Sequence, residues 1–373
     1  MVSGSLSQAE AFARIRLLRS PNIGPVSYRH LLARFGNAEA AIEALPDLGS
    51  RGKTAYRAAP ADRVEQEVEG VRKAGARYLF HDQPDYPALL AELESAPPIL
   101  TCRGDITLAL KPCVAMVGAR NASAAAVKMA RDFASELSRH EFTVVSGLAR
   151  GIDGACHEGA MPQTIGVIAS GIDIAYPPQH KSLQERIANE GLLIAEQPPG
   201  TEPRGRHFPS RNRILAGLSS GTLVVEAAPK SGSLITARLA GEAGREVMAI
   251  PGSPVDPRSL GCNGLIRDGA VLVQTPEEVM ELLQSFTGAP RSRFHVAEIG
   301  TAFDYAELRG MQWGEAKADR STDIANLLTK APIAVDELIR QSGAPAGEVH
   351  MVLLELELSG ELERHSNGGV SVK

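Results

Sequence analysis

Short apolar runs alternate with helix-length segments along the middle of the chain, between about residues 76 and 286. These runs are VAMVG, FTVVSG, QTIGVIAS, LLIAEQ, TLVVEA, EVMAI and AVLV. Each run is continuously apolar, which is typical of strands that are buried on both faces, whereas half-exposed strands alternate apolar and polar positions. The alternation of such strands with helices predicts a parallel sheet that is covered by helices on both faces.

The fold class predicted for residues 76–287 is therefore α/β, with a doubly wound, Rossmann-like and mostly parallel sheet. Ligands of such sheets bind beyond the carboxyl ends of the strands. The glycine- and serine-rich turns follow the strands directly: GAR comes after VAMV, SGLARGID after FTVV, SGIDIAYP after IGVIA and PGS after VMAI. We expect a ligand site at that edge of the sheet.

The N-terminal residues 1–75 show a different pattern, with helical spacing of apolar positions and no strand pattern. Two glycine-containing turns, Pro21–Pro25 and Leu45–Ala55, interrupt the helices. Gly24 suits a tight turn, and Pro25 suits the first turn of a helix. These helix pairs resemble helix-hairpin-helix or SAM-like modules, which can grip a DNA backbone. A helical packing domain without DNA contact explains the pattern equally well.

The C-terminal residues 321–373 predict a winged helix, because three helix-sized segments precede a hairpin in which SNGG joins ELERH to VSVK. Residues 288–320 have mixed charge and no sustained apolar period, which predicts a linker. The winged-helix segment holds four Lys and Arg and eight Asp and Glu, and its expected recognition helix, Pro345–Leu358, has no Lys or Arg. Phosphate would be repelled, so we expect this module to contact protein rather than DNA.

The composition of the 373-residue chain limits the function classes further. Two or three domains are expected from the length. Neither a run of about 18 apolar residues nor a basic-then-apolar leader is present, which favours a cytoplasmic protein without a membrane span. The cysteines are widely spread, which indicates reduced, buried thiols rather than disulfides or a metal site: Cys102, Cys113, Cys156 and Cys262. The net charge of −5 requires any nucleic-acid site to be a local basic patch.

Such a patch lies between residues 201 and 215, where arginines surround a single aromatic ring. Arg204, Arg206, Arg211 and Arg213 lie close in sequence to Phe208. Arginine forks bind phosphate, and an aromatic ring can stack on an unpaired base, so nucleic acid is the expected ligand. Arg211 and Arg213 are two residues apart and do not share a helix face, so one of them is expected to form a structural ion pair.

Further anion-binding groups follow the strands as glycines, hydroxyls and arginines. They are Arg120 and Ser123 after the first run, Ser146, Gly147 and Arg150 after the second, and Ser231, Gly232, Ser233 and Thr236 after TLVVEA. Backbone N–H groups at a helix start and arginine forks can each hold one phosphate without catalysing a reaction. For Ser233 the alternative is a plain N-cap role.

No cofactor or catalytic machinery is expected from the motifs. The first run continues as GARNAS rather than G-x-G-x-x-G, and the phosphate loop G-x-x-x-x-G-K-[ST] is absent. Two acids remain as candidates. Asp153 lies at the start of a predicted helix, where the favourable interaction of a carboxylate with the helix dipole is enough to explain an acid at this position. Glu226 lies at the end of a predicted strand, where it could pair with an arginine of the RNR segment.

Five motifs together resemble the DprA/Smf family, DNA processing protein A. They are VGAR at Val117–Arg120, SGLARGID at Ser146–Asp153, FPSRNRILAGLS at Phe208–Ser219, VVEA followed by SGSLITA, and IPGS at Ile250–Ser253. The resemblance implies a non-enzymatic protein that binds single-stranded DNA, dimerises through the Rossmann-like domain and loads the RecA recombinase during natural transformation. It also implies DNA contacts at Arg120, Ser146, Gly147, Phe208, Arg211, Ser233 and Thr236.

Two points stay open in this resemblance. Members often have a lysine shortly before the aromatic residue, where this chain offers Arg204 and Arg206 instead. The competing class is an enzyme similar to the nucleotide phosphoribohydrolases, which also use a glycine-rich loop and a glutamate at a strand end. Their PGGxGT-type loop is absent here, where KSGSLIT follows the strand.

Overall fold

The computed structural model describes residues 6–48, 56–284, 324–365 and 368–373. It forms two compact units, one made of the N-terminal residues up to 66 and the C-terminal residues from 297, the other of residues 67–296. The predicted linker at 288–320 and the first two residues of the SNGG turn, 366 and 367, lie outside the described residues. The end of the second N-terminal turn, residues 49–55, also lies outside them.

The larger unit is built on a nine-stranded sheet that alternates with helices. The strands are β1 (Arg77–Phe80), β2 (Ile99–Gly104), β3 (Cys113–Val117), β4 (Thr143–Ser146), β5 (Thr164–Gly171), β6 (Leu192–Gln197), β7 (Gly221–Val224), β8 (Glu246–Ala249) and β9 (Val271–Leu272). The helices are α5 (Ala88–Ala91), α6 (Ala124–Arg139), α7 (Ile152–Ala160), α8 (Lys181–Glu190), α9 (His207–Leu218), α10 (Gly232–Glu242), α11 (Leu260–Arg267) and α12 (Pro276–Gln284).

The sheet order is β1-β2-β6-β5-β4-β3-β7-β8-β9. The pairs from β6 to β9 are parallel, as predicted. Every residue of β3, β4, β5, β7 and β8 is buried, which explains their continuously apolar sequences. The strands β1 and β2 were not predicted and form an antiparallel edge next to β6. Their sequences, RYLF and ILTCRG, mix polar with apolar residues and therefore lack the continuous apolar run of the central strands.

Helices cover both faces of the sheet, so the doubly wound prediction is confirmed. Alternate residues of β3 enter two different hydrophobic clusters: Val114 and Met116 pack with α6, α7 and α12, whereas Cys113 and Val117 pack with α9, α10 and α11. Helix α6 shows the expected pattern, because its buried positions Ala126, Ala130, Phe133, Ala134 and Leu137 form one stripe.

The four cysteines are buried and unbridged, as expected. Burial raises the pKa of Cys102 to about 11 and that of Cys113 to about 12, so both remain thiols at neutral pH. In the described part of the chain, no helix is long and apolar enough to cross a membrane.

The smaller unit contains helices from both ends of the chain. The N-terminal helices are α1 (Gln8–Leu18), α2 (Pro25–Phe35), α3 (Ala38–Leu48) and α4 (Ala61–Lys73), the last of which continues into the larger unit. Gly24 is the N-cap of α2 and Pro25 its first residue, as the turn PNIGP predicted.

The C-terminal elements of this unit form the predicted winged helix. They are β10 (Ile333–Ala334), α13 (Val335–Ser342), α14 (Ala346–Leu358), β11 (Leu362–Arg364) and β12 (Gly369–Val372). The predicted hairpin is confirmed by antiparallel pairing of β11 with β12, and β10 pairs with the other edge of β12. Helix α14 occupies the position that was predicted for the recognition helix.

Candidate nucleic-acid interface

The carboxyl ends of β4, β3 and β7 lie side by side in the sheet. The chain runs outward from β3 to β6 on one side and then returns to β7 on the other, so the order reverses at β3. Loops at this point are tied together: Ala119 N–H donates to Glu226 O at 2.7 Å, and Ile152 N–H donates to Ala119 O at 3.3 Å. Such a reversal opens a crevice in which ligands of doubly wound sheets bind.

A cleft at this edge brings together five of the predicted site residues. Arg120, Gly147, Arg150, Phe208 and Arg211 line it. The remaining lining residues were not predicted, and they are Ala149, Ile168, Ala169, Tyr176, Pro177 and Pro203. The cleft therefore combines three arginines with two aromatic rings.

The ring of Phe208 has both a cation and a second aromatic ring as neighbours. The guanidinium carbon of Arg120 is 5.2 Å from the centroid of the Phe208 ring, a cation–π distance. The ring of Tyr176 is 5.8 Å away at an interplanar angle of 60°, and 43% of Tyr176 is exposed. Sequence reasoning missed Tyr176, although its turn, SGIDIAYP, lies at the predicted edge. An aromatic residue in a turn after a buried strand was the available signal.

Arg211 is the most unusual group in the cleft. Only 6% of the residue is exposed. Among the residues that the structure describes, none forms a hydrogen bond with its Nε or Nη1. Burial lowers the pKa of Arg211, and the nearby Asp153 carboxylate opposes this effect. A buried guanidinium with unsatisfied donors costs free energy that an incoming anion would recover.

Gly147 leaves the space that this guanidinium fills. A Cβ atom at position 147 would collide with Nη1 and Cζ of Arg211. Asp153, the second residue of α7, is also buried, and it accepts hydrogen bonds from Ala149 N–H at 3.2 Å and from the backbone of Gly147. Burial raises the pKa of Asp153, while Arg211 lowers it. Asp153 thus holds the glycine turn and faces Arg211.

The glycine turn after β4 has a fixed backbone. Ser146 is fully buried, and its Oγ donates to Met116 O at 2.7 Å. Gly151 has a φ of 76°, and a Cβ there would collide with the carbonyl oxygen of Ala119. His180 Nδ1 lies 2.9 Å from Leu148 O. The side chain of Ser146 therefore anchors the turn, and the backbone of the turn faces the cleft.

Arg213 has a different environment from Arg211, as predicted for one of the two arginines. Its guanidinium forms two hydrogen bonds with Glu196, at 3.2 Å and 2.5 Å, and a third with Ser210 O at 2.9 Å. Both side chains of the ion pair are largely buried. The positive charge of Arg213 is therefore neutralised by Glu196 within the fold.

Ser123 and Glu226 form a bridge between the ends of β3 and β7. Ser123 donates from its N–H to Oε1 of Glu226 at 3.0 Å and from its Oγ to Oε2 at 2.7 Å. The same Oγ caps α6 by accepting from Ala126 N–H at 3.1 Å. The prediction that Glu226 pairs with an arginine of the RNR segment is wrong. Both carboxylate oxygens of Glu226 accept hydrogen bonds from Ser123, and the carboxylate that pairs with Arg213 is that of Glu196.

In the turn before α10, the polar groups of the two serines contact each other. Ser231 rather than Ser233 is the N-cap of α10; its Oγ accepts from Ser233 N–H at 3.4 Å and lies 2.7 Å from Ser233 Oγ. Ser233 and Thr236 are buried, whereas a Cβ at Gly232 would meet open space. None of these four residues belongs to the lining of the cleft as the structure describes it.

Arg204 and Arg206 are exposed at the start of α9. The backbone N–H of Arg204 donates to His207 Nδ1 at 3.3 Å, and Arg206 is the N-cap residue of the helix. Both flank the cleft in sequence, since Pro203 and Phe208 line it. Their exposed side chains add positive charge close in sequence to its lining residues.

Three family models match consecutive parts of the chain. DNA recombination-mediator protein A matches residues 77–284, the DprA-like N-terminal HHH domain matches residues 8–70, and the DprA winged helix domain matches residues 312–368. The first model alone covers more than half of the chain.

Curated relatives and solved structures agree with these matches. Protein Smf of Synechocystis is 34% identical over 317 residues, which are 79% of this chain and 80% of that protein. The crystal structure of DNA processing protein A from Streptococcus pneumoniae is 34% identical with a TM-score of 0.62, covering 74% of this chain and 98% of that one. A Helicobacter pylori DNA processing protein A, whose structure describes a single-stranded DNA binding mode, is 29% identical with a TM-score of 0.52, covering 57% of this chain and 99% of that one.

Proposed function

The chain belongs to the DprA/Smf family of DNA recombination-mediator proteins, and on that premise we propose that it binds single-stranded DNA in the cleft beyond β3 and β4. The observation that carries the proposal is the buried guanidinium of Arg211. Its Nε and Nη1 have no partner among the described residues, and it lies in the same cleft as Arg120 and Phe208. A phosphate would supply the missing acceptor, and a ring beside it suits an unpaired base.

The proposed DNA-binding set keeps all fourteen residues of the sequence prediction. They are Arg120, Ser123, Ser146, Gly147, Arg150, Arg204, Arg206, Phe208, Arg211, Arg213, Ser231, Gly232, Ser233 and Thr236. Their environments support two roles within it. Residues that line the cleft offer donors to DNA, whereas Ser123, Ser146 and Arg213 already bond inside the protein and would act by holding the loops in place.

Further parts of the proposal rest on the family resemblance. We propose that the protein loads RecA onto single strands during DNA uptake and recombination, forms a homodimer through the Rossmann-like domain and works in the cytoplasm. We also propose domain boundaries at 1–75, 76–287, 288–320 and 321–373. The winged helix is assigned to protein contact, because its charge is acidic.

The proposed activity involves no bond making or breaking. The two candidate acids of the sequence analysis support this view, because both are engaged in holding loops. Glu226 accepts from Ser123, and Asp153 accepts from Ala149 and Gly147. A general base needs access to the proton that it abstracts.

Titration of fluorescently labelled oligonucleotides tests the binding proposal. We expect the protein to prefer a single strand over the matching duplex, because stacking on Phe208 needs an unpaired base. Phe208→Ala should weaken single-strand binding by about 1–3 kcal/mol, the range for one stacked base. Phe208→Leu is the matched control: it retains an apolar side chain against Tyr176 but has no π-face, so it should lose nearly as much affinity. Equal affinity for duplex and single strand would contradict the proposal.

A second measurement tests the absence of catalysis. Nucleoside monophosphates and oligonucleotides incubated with the protein should be recovered intact by chromatography. Release of free base that disappears in Glu226→Gln would instead favour the phosphoribohydrolase alternative.

A further inference from the structure

Tyr176 differs from the other aromatic residues in its exposure to solvent. Among the phenylalanine, tyrosine and tryptophan residues that the structure describes, Tyr176 alone is exposed, with 43% of its surface accessible. A single exposed ring needs no explanation on an ordinary surface. This ring, however, lies in the wall of the cleft, beside Phe208 and three arginines. Its position suits a ligand that offers an aromatic face.

The turn that carries Tyr176, residues 171–177, is fixed to the elements around it. It follows β5 directly. The carbonyl oxygen of Ile174 accepts hydrogen bonds from Ser170 Oγ at 2.8 Å and from Gln184 Nε2 of α8 at 3.3 Å. A ring on a turn that is already ordered costs less conformational entropy when a ligand binds to it.

Asp173 joins the turn of Tyr176 to the segment that leads into α9. Both carboxylate oxygens of Asp173 accept from Gly200 N–H, at 2.8 Å and 3.1 Å. Gly200 has a φ of 73°, which favours glycine at this position. In the same contact, Gly171 N–H donates to Thr201 O at 2.9 Å. Because α9 carries the other ring of the cleft, the two rings lie on connected parts of the chain.

The two rings, as they are placed, cannot share one base. Their centroids are 5.8 Å apart. A base stacked between two rings needs about 7 Å, twice the usual carbon contact distance of about 3.5 Å. Their planes are inclined by 60°, so a flat base is parallel to only one of them. The Arg120 guanidinium also lies over the Phe208 ring. Stacking on Tyr176 is therefore separate from stacking on Phe208.

We propose that Tyr176 is a second stacking residue, and that the cleft holds two successive unpaired bases, one on Phe208 and the next on Tyr176. This inference rests on the proposed binding of single strands in the same cleft. The inclined rings hold the two bases at an angle, so the strand bends between them and these bases do not stack on each other. Arg150 is exposed and lines the same cleft, where it can donate to the phosphates of the bent strand.

The test uses the full-length chain and labelled hexamers built of stable abasic sugars, all with the same phosphates. The hexamers carry no base, one thymine, two adjacent thymines, or two thymines separated by three abasic sugars. A lone thymine can reach either ring by a shift of the strand, so its position in the hexamer is unimportant. We expect one thymine to raise affinity about 5- to 150-fold, the equivalent of about 1–3 kcal/mol for one stacked base, and an adjacent second thymine to raise it again within that range. The separated pair should bind almost as one thymine does.

Three substitutions of Tyr176 identify the ring that the second thymine uses. Tyr176→Ala should remove the gain from the second thymine and keep most of the gain from the first. Tyr176→Phe retains the ring, so both gains should persist. Tyr176→Leu is the matched control for packing, because it keeps an apolar side chain against Phe208 without a π-face, and the second gain should be lost. If Tyr176→Leu kept that gain, Tyr176 would only position Phe208, and the proposal would be overturned. The side chain is exposed, so these variants should unfold at the same urea concentration as the wild type.

Phe208→Ala separates this inference from the proposed function on which it rests. With Tyr176 as the remaining ring, this variant should still gain affinity from one thymine but not from an adjacent second one. A wild-type protein that gains from the first thymine and not from the second would overturn this inference alone. Equal affinity of the wild type for all four hexamers would contradict stacking on Phe208 as well, and with it the proposed function.

Discussion

The two sides of the sheet edge satisfy their polar groups in different ways. On the β7 side, Ser123 and Glu226 bond to each other, and Ser231 caps α10 while contacting Ser233. On the β4 side, the buried donors of Arg211 lack partners among the described residues. Satisfied groups stabilise the fold, whereas a buried cation with unsatisfied donors weakens it. We therefore expect the proposed DNA affinity to be concentrated on the β4 side, with the β7 side keeping the loops in position.

The largest expected effect comes from the two arginines of α9. Arg211→Met should weaken single-strand binding by about 1.5–3 kcal/mol, the range for a hydrogen bond to a charged group, and should lower the free energy of unfolding less than Arg213→Met does, because Asp153 keeps its hydrogen bonds from Ala149 and Gly147. Arg213→Met should do the reverse: it leaves Glu196 without its partner, so stability should fall by about 1–3 kcal/mol while affinity changes little. Urea unfolding and oligonucleotide titration of both variants give the comparison.

The control for charge alone is Arg211→Lys. Lysine retains the positive charge but lacks the planar fork, so affinity should recover only in part. If Arg211→Met lost stability and kept its affinity, Arg211 would be structural and the contrast between the two sides would fail.

A smaller effect is expected from Ser123→Ala on the β7 side. The substitution removes an N-cap and one hydrogen bond to Glu226, so the free energy of unfolding should fall by about 0.5–2 kcal/mol. Affinity for single strands should fall much less than in Arg211→Met. Thermal or urea unfolding beside the same titration measures both quantities. A large loss of affinity with normal stability would move Ser123 from support to direct DNA contact.

The sequence predicted the central strands well because burial on both faces leaves an unmistakable apolar run, as in VAMV and IGVIA. It missed β1 and β2, in which Arg77, Tyr78 and Thr101 interrupt the apolar residues. Local patterns show which residues a strand can bury. Local patterns do not show which neighbouring strand it pairs with.

The candidate site was predictable only in part, for a similar reason. The spacing of Arg211 and Arg213 indicates that they point in different directions, but not which one meets Glu196. Which arginine contacts Glu196 depends on how α9 is rotated about its axis relative to β6, and this rotation is a feature of the tertiary structure. Tyr176 enters the cleft from a turn about 30 residues before Phe208, and α14 meets α2 across most of the chain. Neither contact has a local signal beyond an aromatic in a turn and an acidic helix.

The smallest expected effect comes from Arg204 and Arg206, which are exposed and lie next to the lining residues of the cleft in sequence. Arg204 follows Pro203, which lines the cleft, so Arg204→Ala should reduce the slope of log affinity against log salt by about 0.7, the value for one phosphate on a single strand. Arg206 is the N-cap of α9, where a cation opposes the helix dipole, so Arg206→Ala should also gain about 0.3–1 kcal/mol of stability.

Salt separates these exposed cations from the buried one. At 1 M salt the screening length is about 3 Å, so the loss caused by Arg204→Ala should vanish as salt rises. The loss caused by Arg211→Met should persist, because its guanidinium is buried and its contact with phosphate would be shielded from ions. Titration of both variants from low to high salt measures this difference. If the two losses faded together, the Arg211 contact would be as exposed as that of Arg204, and burial would not explain the affinity of the β4 side.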